Sequence, residues 1–140
     1  MGIANQPVEV LSMVSLPWVK HESRNAADPC ITQLISMAGF EGYGRYWRLI
    51  ELLSDSKTHE MPPIGERGSK RYQIGLGFTS MEALDGYLNS LLSLDLVERT
   101  ENGCYRVPLV DRTANDIANA RANGSKGGRK AALNRRSASI

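Results

Sequence analysis

The sequence predicts a mainly α-helical domain with one small β-hairpin, arranged as a winged helix-turn-helix. Three observations predict it. Apolar residues recur at helical spacing in successive segments between 28 and 94. The pair Asn102-Gly103 separates two short β-compatible runs. The two helical segments before that pair are joined by a Gly-containing turn, giving the order helix, turn, helix, wing.

Residues 8–19, with Pro17 before Trp18, predict an extended lead-in whose apolar side chains pack on the domain. The first helix opens at Asp28-Pro29, where a carboxylate N-cap precedes a proline whose missing N–H costs nothing at the first helical position. Ile31, Leu34, Ile35 and Ala38 form one stripe, and Gly39 supplies the stop. A second helix over 41–54 brings Tyr43, Tyr46, Trp47, Ile50 and Leu53 to one face, widened by Leu49 and Leu52, and should be the most buried element. Residues 57–61, before Pro62-Pro63, read as a short extended segment. Residues 69–76 can form a third, short helix, weakened by Gly75 and Gly77.

Thr79 and Ser80 both offer N-caps to the next helix, and Thr79 with Glu82 has the spacing of a capping box. That helix runs to about 94 with Met81, Leu84, Leu88, Leu91 and Leu92 inward, in the recognition position. Asn102-Gly103, between 96–100 and 104–107, predicts a tight type I′ hairpin, the wing. Residues 109–122 are polar but compatible with a helix, and 123–140 are rich in Gly, Ser, Ala, Lys and Arg, which predicts a tail disordered when free. One domain over 1–120 with a basic tail over 121–140 follows; a generic α+β domain burying the same leucines has the same periodicities.

The formal charge of +2 conceals an asymmetry. Six of the 17 Lys and Arg residues lie from Arg121 onward, where there is no Asp or Glu, so 11 remain against all 15 acids in the first 120 residues. A mildly acidic body with a +6 arm suits a polyanion, nucleic acid above all; a merely solubilising arm is the plainer reading.

Cys30 and Cys104 are far apart, belong to no C-x-x-C pair and read as buried thiols of a reducing compartment. The N-terminus has neither the basic nor the long apolar region of a signal peptide, and no apolar run is long enough to cross a bilayer, so a cytoplasmic protein without membrane contact is expected. His21 and His59 lack partners at metal-ligand spacing, and Asp28, Glu51 and Glu60 make no acid–base pair. Gly42-Tyr43-Gly44 and Gly75-Leu76-Gly77 are too short and wrongly placed for a phosphate loop. No catalytic residue, metal or cofactor is expected.

The stretches Trp18-Val19-Lys20-His21, Asp28-Pro29 and above all Gly39-Phe40-Glu41-Gly42-Tyr43-Gly44-Arg45-Tyr46-Trp47-Arg48-Leu49-Ile50-Glu51-Leu52-Leu53 resemble the N-terminal domain of phage and prophage replication proteins, the replisome-organiser and DnaD-like primosomal proteins. Residues 88–97 with the following hairpin are similar to that family's second helix and wing, and 122–132 to its Gly- and Lys-rich linker. The resemblance spans 17–132. It implies a non-catalytic winged helix that binds origin DNA or helps assemble a primosome, often as a homo-oligomer. Such proteins usually continue into a second domain that contacts helicase or helicase loader, which leaves either a fragment or a short stand-alone protein with another task.

DNA binding by a winged helix needs donors for phosphates near the recognition helix and along the wing. The candidates are Lys70, Arg71, Thr79, Ser80, Asn89, Arg99, Asn102 and Arg106, with Arg121, Lys126, Arg129, Lys130, Arg135 and Arg136 in the tail, against single- or double-stranded DNA. Glu82 and Asp85 on the recognition helix would repel phosphates. They suit helix capping, or a different function: docking of a host replication or defence protein. They also argue against a transcriptional regulator, which reads base edges from that helix. Tyr43, Tyr46 and Trp47 could form a base-stacking platform, but their spacing is that of core packing.

Overall fold

The structure, a computed structural model, describes residues 14–138, and their side chains as far as Gly124. Residues 8–13 of the expected lead-in lie outside the described residues. After a 3-10 turn at Ser23–Ala27 come α1 (Pro29–Asp55), α2 (Ser69–Gly75), α3 (Met81–Ser93), β1 (Glu98–Arg99), β2 (Tyr105–Arg106) and α4 (Pro108–Ala138).

Asp28 caps α1, its carboxylate accepting the Cys30 N–H at 2.8 Å. Gly39 breaks the helix at φ 68°, ψ −176°, a region essentially restricted to glycine, yet the chain re-enters helix at once. The expected stop is therefore a kink between helical halves 29–38 and 40–55. Its outer corner carries Phe40, 79% exposed. The second half is the core's spine, with Tyr46, Leu49, Ile50 and Leu53 buried. Each such aliphatic side chain taken fully from water contributes about 1.5–3 kcal/mol.

α3 is capped by Ser80, whose hydroxyl accepts the Ala83 N–H at 3.1 Å. Thr79 is exposed one residue outside the helix and, with Ala83 at the third helical position, no capping box forms. The inner stripe is Leu84, Tyr87, Leu88 and Leu91; Met81 and Leu92 are half-buried. The helix closes with Leu96 N–H on Leu91 C=O (3.0 Å) and Asp95 N–H on Leu92 C=O (3.1 Å), a Schellman arrangement with Asp95 at φ 57° where glycine is usual.

β1 and β2 pair antiparallel with Glu98 opposite Arg106 and Arg99 opposite Tyr105. Met61 joins from the other side, exchanging N–H···O=C bonds of 2.9 Å with Tyr105 in both directions. The turn is not type I′, which needs positive φ at both central residues: Gly103 has φ 79°, but Asn102 is not in that region. Gly103 N–H bonds Thr100 C=O, Thr100 N–H bonds Cys104 C=O, and Thr100 Oγ1 accepts the Cys104 N–H, which makes a three-residue loop with glycine in the left-handed position.

α4 starts with proline at its first position and buries Val110, Thr113, Ala114, Ile117 and Ala118 against the body. It extends to Ala138, past the helix end expected near 122 and through the segment expected to be disordered. Ala, Leu, Lys and Arg favour a helix there, while Gly124, Gly127 and Gly128 each oppose it by about 1 kcal/mol relative to Ala. Cys30 and Cys104 are free and half-buried, not core thiols. Among the described residues no helix is long and apolar enough to cross a membrane.

Candidate nucleic-acid interface

α2 is short because Gly68 (φ 96°) starts it and Gly77 (φ 77°) follows it. Seven residues make about two turns, so one face is buried and the other is not. Ser69, Tyr72 and Gln73 point inward, leaving Lys70, Arg71 and Ile74 exposed. The 62–68 loop before it holds the exposed Arg67 and leans on the hairpin: a Cβ on Gly103 would lie 3.5 Å from Pro63 Cγ, and one on Gly68 3.1 Å from Pro62 Cγ. Arg99 completes this strip. Its guanidinium donates to Gly103 C=O at 3.1 Å and lies over the Tyr105 ring, while the side chain stays exposed. The fold thus brings Lys70, Arg71 and Arg99 to one strip and adds Arg67, which the sequence reading did not single out. Exposed Asn102 sits at the hairpin tip. Glu66 and Glu101 are exposed in the same loop and hairpin, while Glu98, the neighbour of Arg99 in β1, points to the opposite face, that of Arg106.

Arg106 does not belong to it. Its Nε and Nη2 donate to the two oxygens of Asp111 (3.1 and 2.7 Å) and its Nη1 to Glu60 (2.7 Å), so its donors serve to fasten β2 to α4 and to Glu60, the residue before Met61. Those hydrogen bonds, led by the one to Asp111, push its pKa further up. The Ser80 hydroxyl accepts the cap bond, and Thr79 is free at the surface.

α3 contains no Lys or Arg. Its outer side shows Glu82, Ala83, Gly86 and Asn89, with Asp85 half-buried. Arg121 is exposed on α4. Lys126, Arg129, Lys130, Arg135 and Arg136 follow on the same helix, outside the described side chains.

Of the aromatic residues of α1, Tyr43, Tyr46 and Trp47 pack against the body, whereas Phe40 is exposed. Tyr46 is 4% exposed, Trp47 stacks on His21 with centroids 3.9 Å apart, and the Tyr43 hydroxyl lies 3.3 Å from His21 Nε2. Burial pushes the Tyr46 hydroxyl up to about 12. A cleft of about 570 Å³ opens between the starts of α1 and α4, lined among others by Glu22, Asp28, Asp95, Arg112 and Asp116; none of the candidate DNA-binding residues borders it. Among the described residues no group of three His, Cys, Asp or Glu side chains could hold a metal ion.

Comparison of the chain with protein-family models, curated proteins and solved structures finds no match. What bears on function is therefore in the residues themselves: cations from α2 to the hairpin, an acidic α3, and six cations from Arg121 on.

Proposed function

We propose that the chain is a winged-helix DNA-binding protein, non-catalytic and cytoplasmic, that acts in phage-type replication initiation or primosome assembly. The observation that carries the winged-helix reading is the order of elements: helix 40–55, the Met61 strand residue, α2, α3, then a hairpin whose inner strand pairs with Met61. The basic strip and the tail supply phosphate contacts, and the replication assignment rests on the resemblance of 39–53 to the replisome-organiser and DnaD-like proteins.

A second reading has its own support. With no Lys or Arg on α3 and with Glu82 exposed, that helix suits a protein surface better than a major groove, so docking of helicase, helicase loader or another host protein is the alternative.

Fluorescence-anisotropy titration of single- and double-stranded DNA, with full-length and tail-truncated chains from roughly 50 to 200 mM salt, tests the first reading. Salt-sensitive binding that survives truncation is the expected result. Absence of binding by either form at low salt would overturn it.

A further inference from the structure

We propose that α2, not α3, is the helix laid against duplex DNA, with Ile74 making an apolar contact in the minor groove while Arg67, Lys70 and Arg71 hold the flanking phosphates. The proposal rests on the DNA-binding reading above and specifies the surface and the kind of nucleic acid it takes.

Ile74 is 67% exposed, among the most exposed large apolar side chains of the described residues. Lys70, one helical turn earlier, and Arg71, three residues earlier, share its side of α2, because Ser69, Tyr72 and Gln73 occupy the other. Among the described residues Arg67, Lys70 and Arg71 form no salt bridge, whereas Lys20, Arg24, Arg45, Arg48 and Arg106 are each paired with a carboxylate. An aliphatic side chain standing among uncommitted cations fits a ligand with an anionic rim and, inside it, surface that an apolar wedge can enter. The groove of a nucleic-acid duplex has that composition: phosphates along its edges, with sugar and base edges between.

The charge count shows why an apolar anchor is needed. The first 120 residues carry 15 carboxylates against 11 Lys and Arg, and Glu66 and Glu101 are exposed in the same loop and hairpin as Arg67 and Arg99. Phosphate attraction by this surface alone is weak. Contact by Ile74 would fix where the body sits on DNA. α3 offers no counterpart, because it lacks Lys and Arg and exposes Glu82.

The test uses the full chain and a duplex of about 20 base pairs, beside its single strand, titrated by anisotropy over a range of salt. Ile74→Ala should weaken duplex binding roughly five- to tenfold and leave the salt slope unchanged, since no counterion release is lost. Lys70→Gln and Arg71→Gln should each flatten the slope by about 0.9. Asn89→Ala on α3 should change neither. Ile74 is exposed and Ala is the better helix former, so its variant keeps the fold, as far-ultraviolet circular dichroism would check. Wild-type affinity in Ile74→Ala, or a greater loss in Asn89→Ala, would overturn the assignment of α2 while leaving DNA binding intact. Failure of the wild type to bind duplex at about 50 mM salt would remove the DNA-binding reading itself, and this proposal with it.

Discussion

Replacing Arg106 with Met should destabilise the fold while leaving the proposed phosphate contacts alone. Arg106 is joined to Asp111 through two hydrogen bonds and to Glu60 through a third, which connects β2, the start of α4 and the residue preceding Met61. The three side chains are 32%, 28% and 32% exposed, between a free surface pair and a buried one. A bidentate, half-screened pair and a monodentate one contribute about 1 kcal/mol each, so the loss should be about 2 kcal/mol. Met keeps the apolar stem, so little of that comes from lost packing. For a chain of this size a 2 kcal/mol loss lowers Tm by roughly 6–8 °C.

Thermal and urea denaturation followed by circular dichroism would measure it, and a double-mutant cycle with Asp111→Asn should return a coupling of about 1 kcal/mol. A loss below about 0.5 kcal/mol, or no coupling, would show that the pair is only a surface contact and that the hub argument is wrong. The same variant separates fold from function. If the chain binds DNA as proposed, Arg106→Met should do so with an unchanged salt slope, whereas Arg99→Met should flatten it, because of the two only Arg99 has an exposed side chain without a carboxylate partner.

Four further outcomes follow from local geometry. Ser80→Ala should cost about 1 kcal/mol in urea denaturation and Thr79→Ala almost nothing, since Ser80 alone makes the cap bond. Gly39→Ala meets open space but a φ of 68° with ψ −176°, so its cost of about 1–3 kcal/mol is purely backbone and should appear as an equal fall in unfolding free energy. Asp95→Gly should stabilise by about 0.5–1 kcal/mol in the same assay, because it relieves a left-handed φ of 57° and removes a carboxylate from the negative end of α3. Burial raises the Tyr46 hydroxyl from 10.0 to about 12, so the unfolded chain loses that proton first. Stability should be full below pH 10 and fall as pH rises towards 12, and Tyr46→Phe should make that fall shallower.

Where the deciding partner is a near neighbour in the chain, the residues announce the structure. Asp28 caps the amide two residues on, Gly39 breaks the helix where only glycine can, and Tyr46, Leu49, Ile50 and Leu53 share a face by spacing alone. The reading fails where the partner is distant. Tyr87 is a core residue because its hydroxyl donates to Gly42 C=O, 45 positions away. Arg106 looks like a wing cation until Glu60, 46 positions away, claims it. Thr113, Ala114 and Ala118 read as polar or neutral filler on α4, yet their small size lets that helix close on α1. The hairpin shows both cases at once: Asn102-Gly103 marks the turn, but Thr100 and Cys104, which pair across it, set its length and leave only Gly103 in the left-handed region. The candidate interface follows the same division. That Lys70, Arg71 and Arg99 are cations is plain from the chain. That Arg67 joins them, that Arg106 does not, and that Ile74 stands exposed in their midst depends on how α2, the proline loop and the wing pack, contacts that local periodicity does not encode.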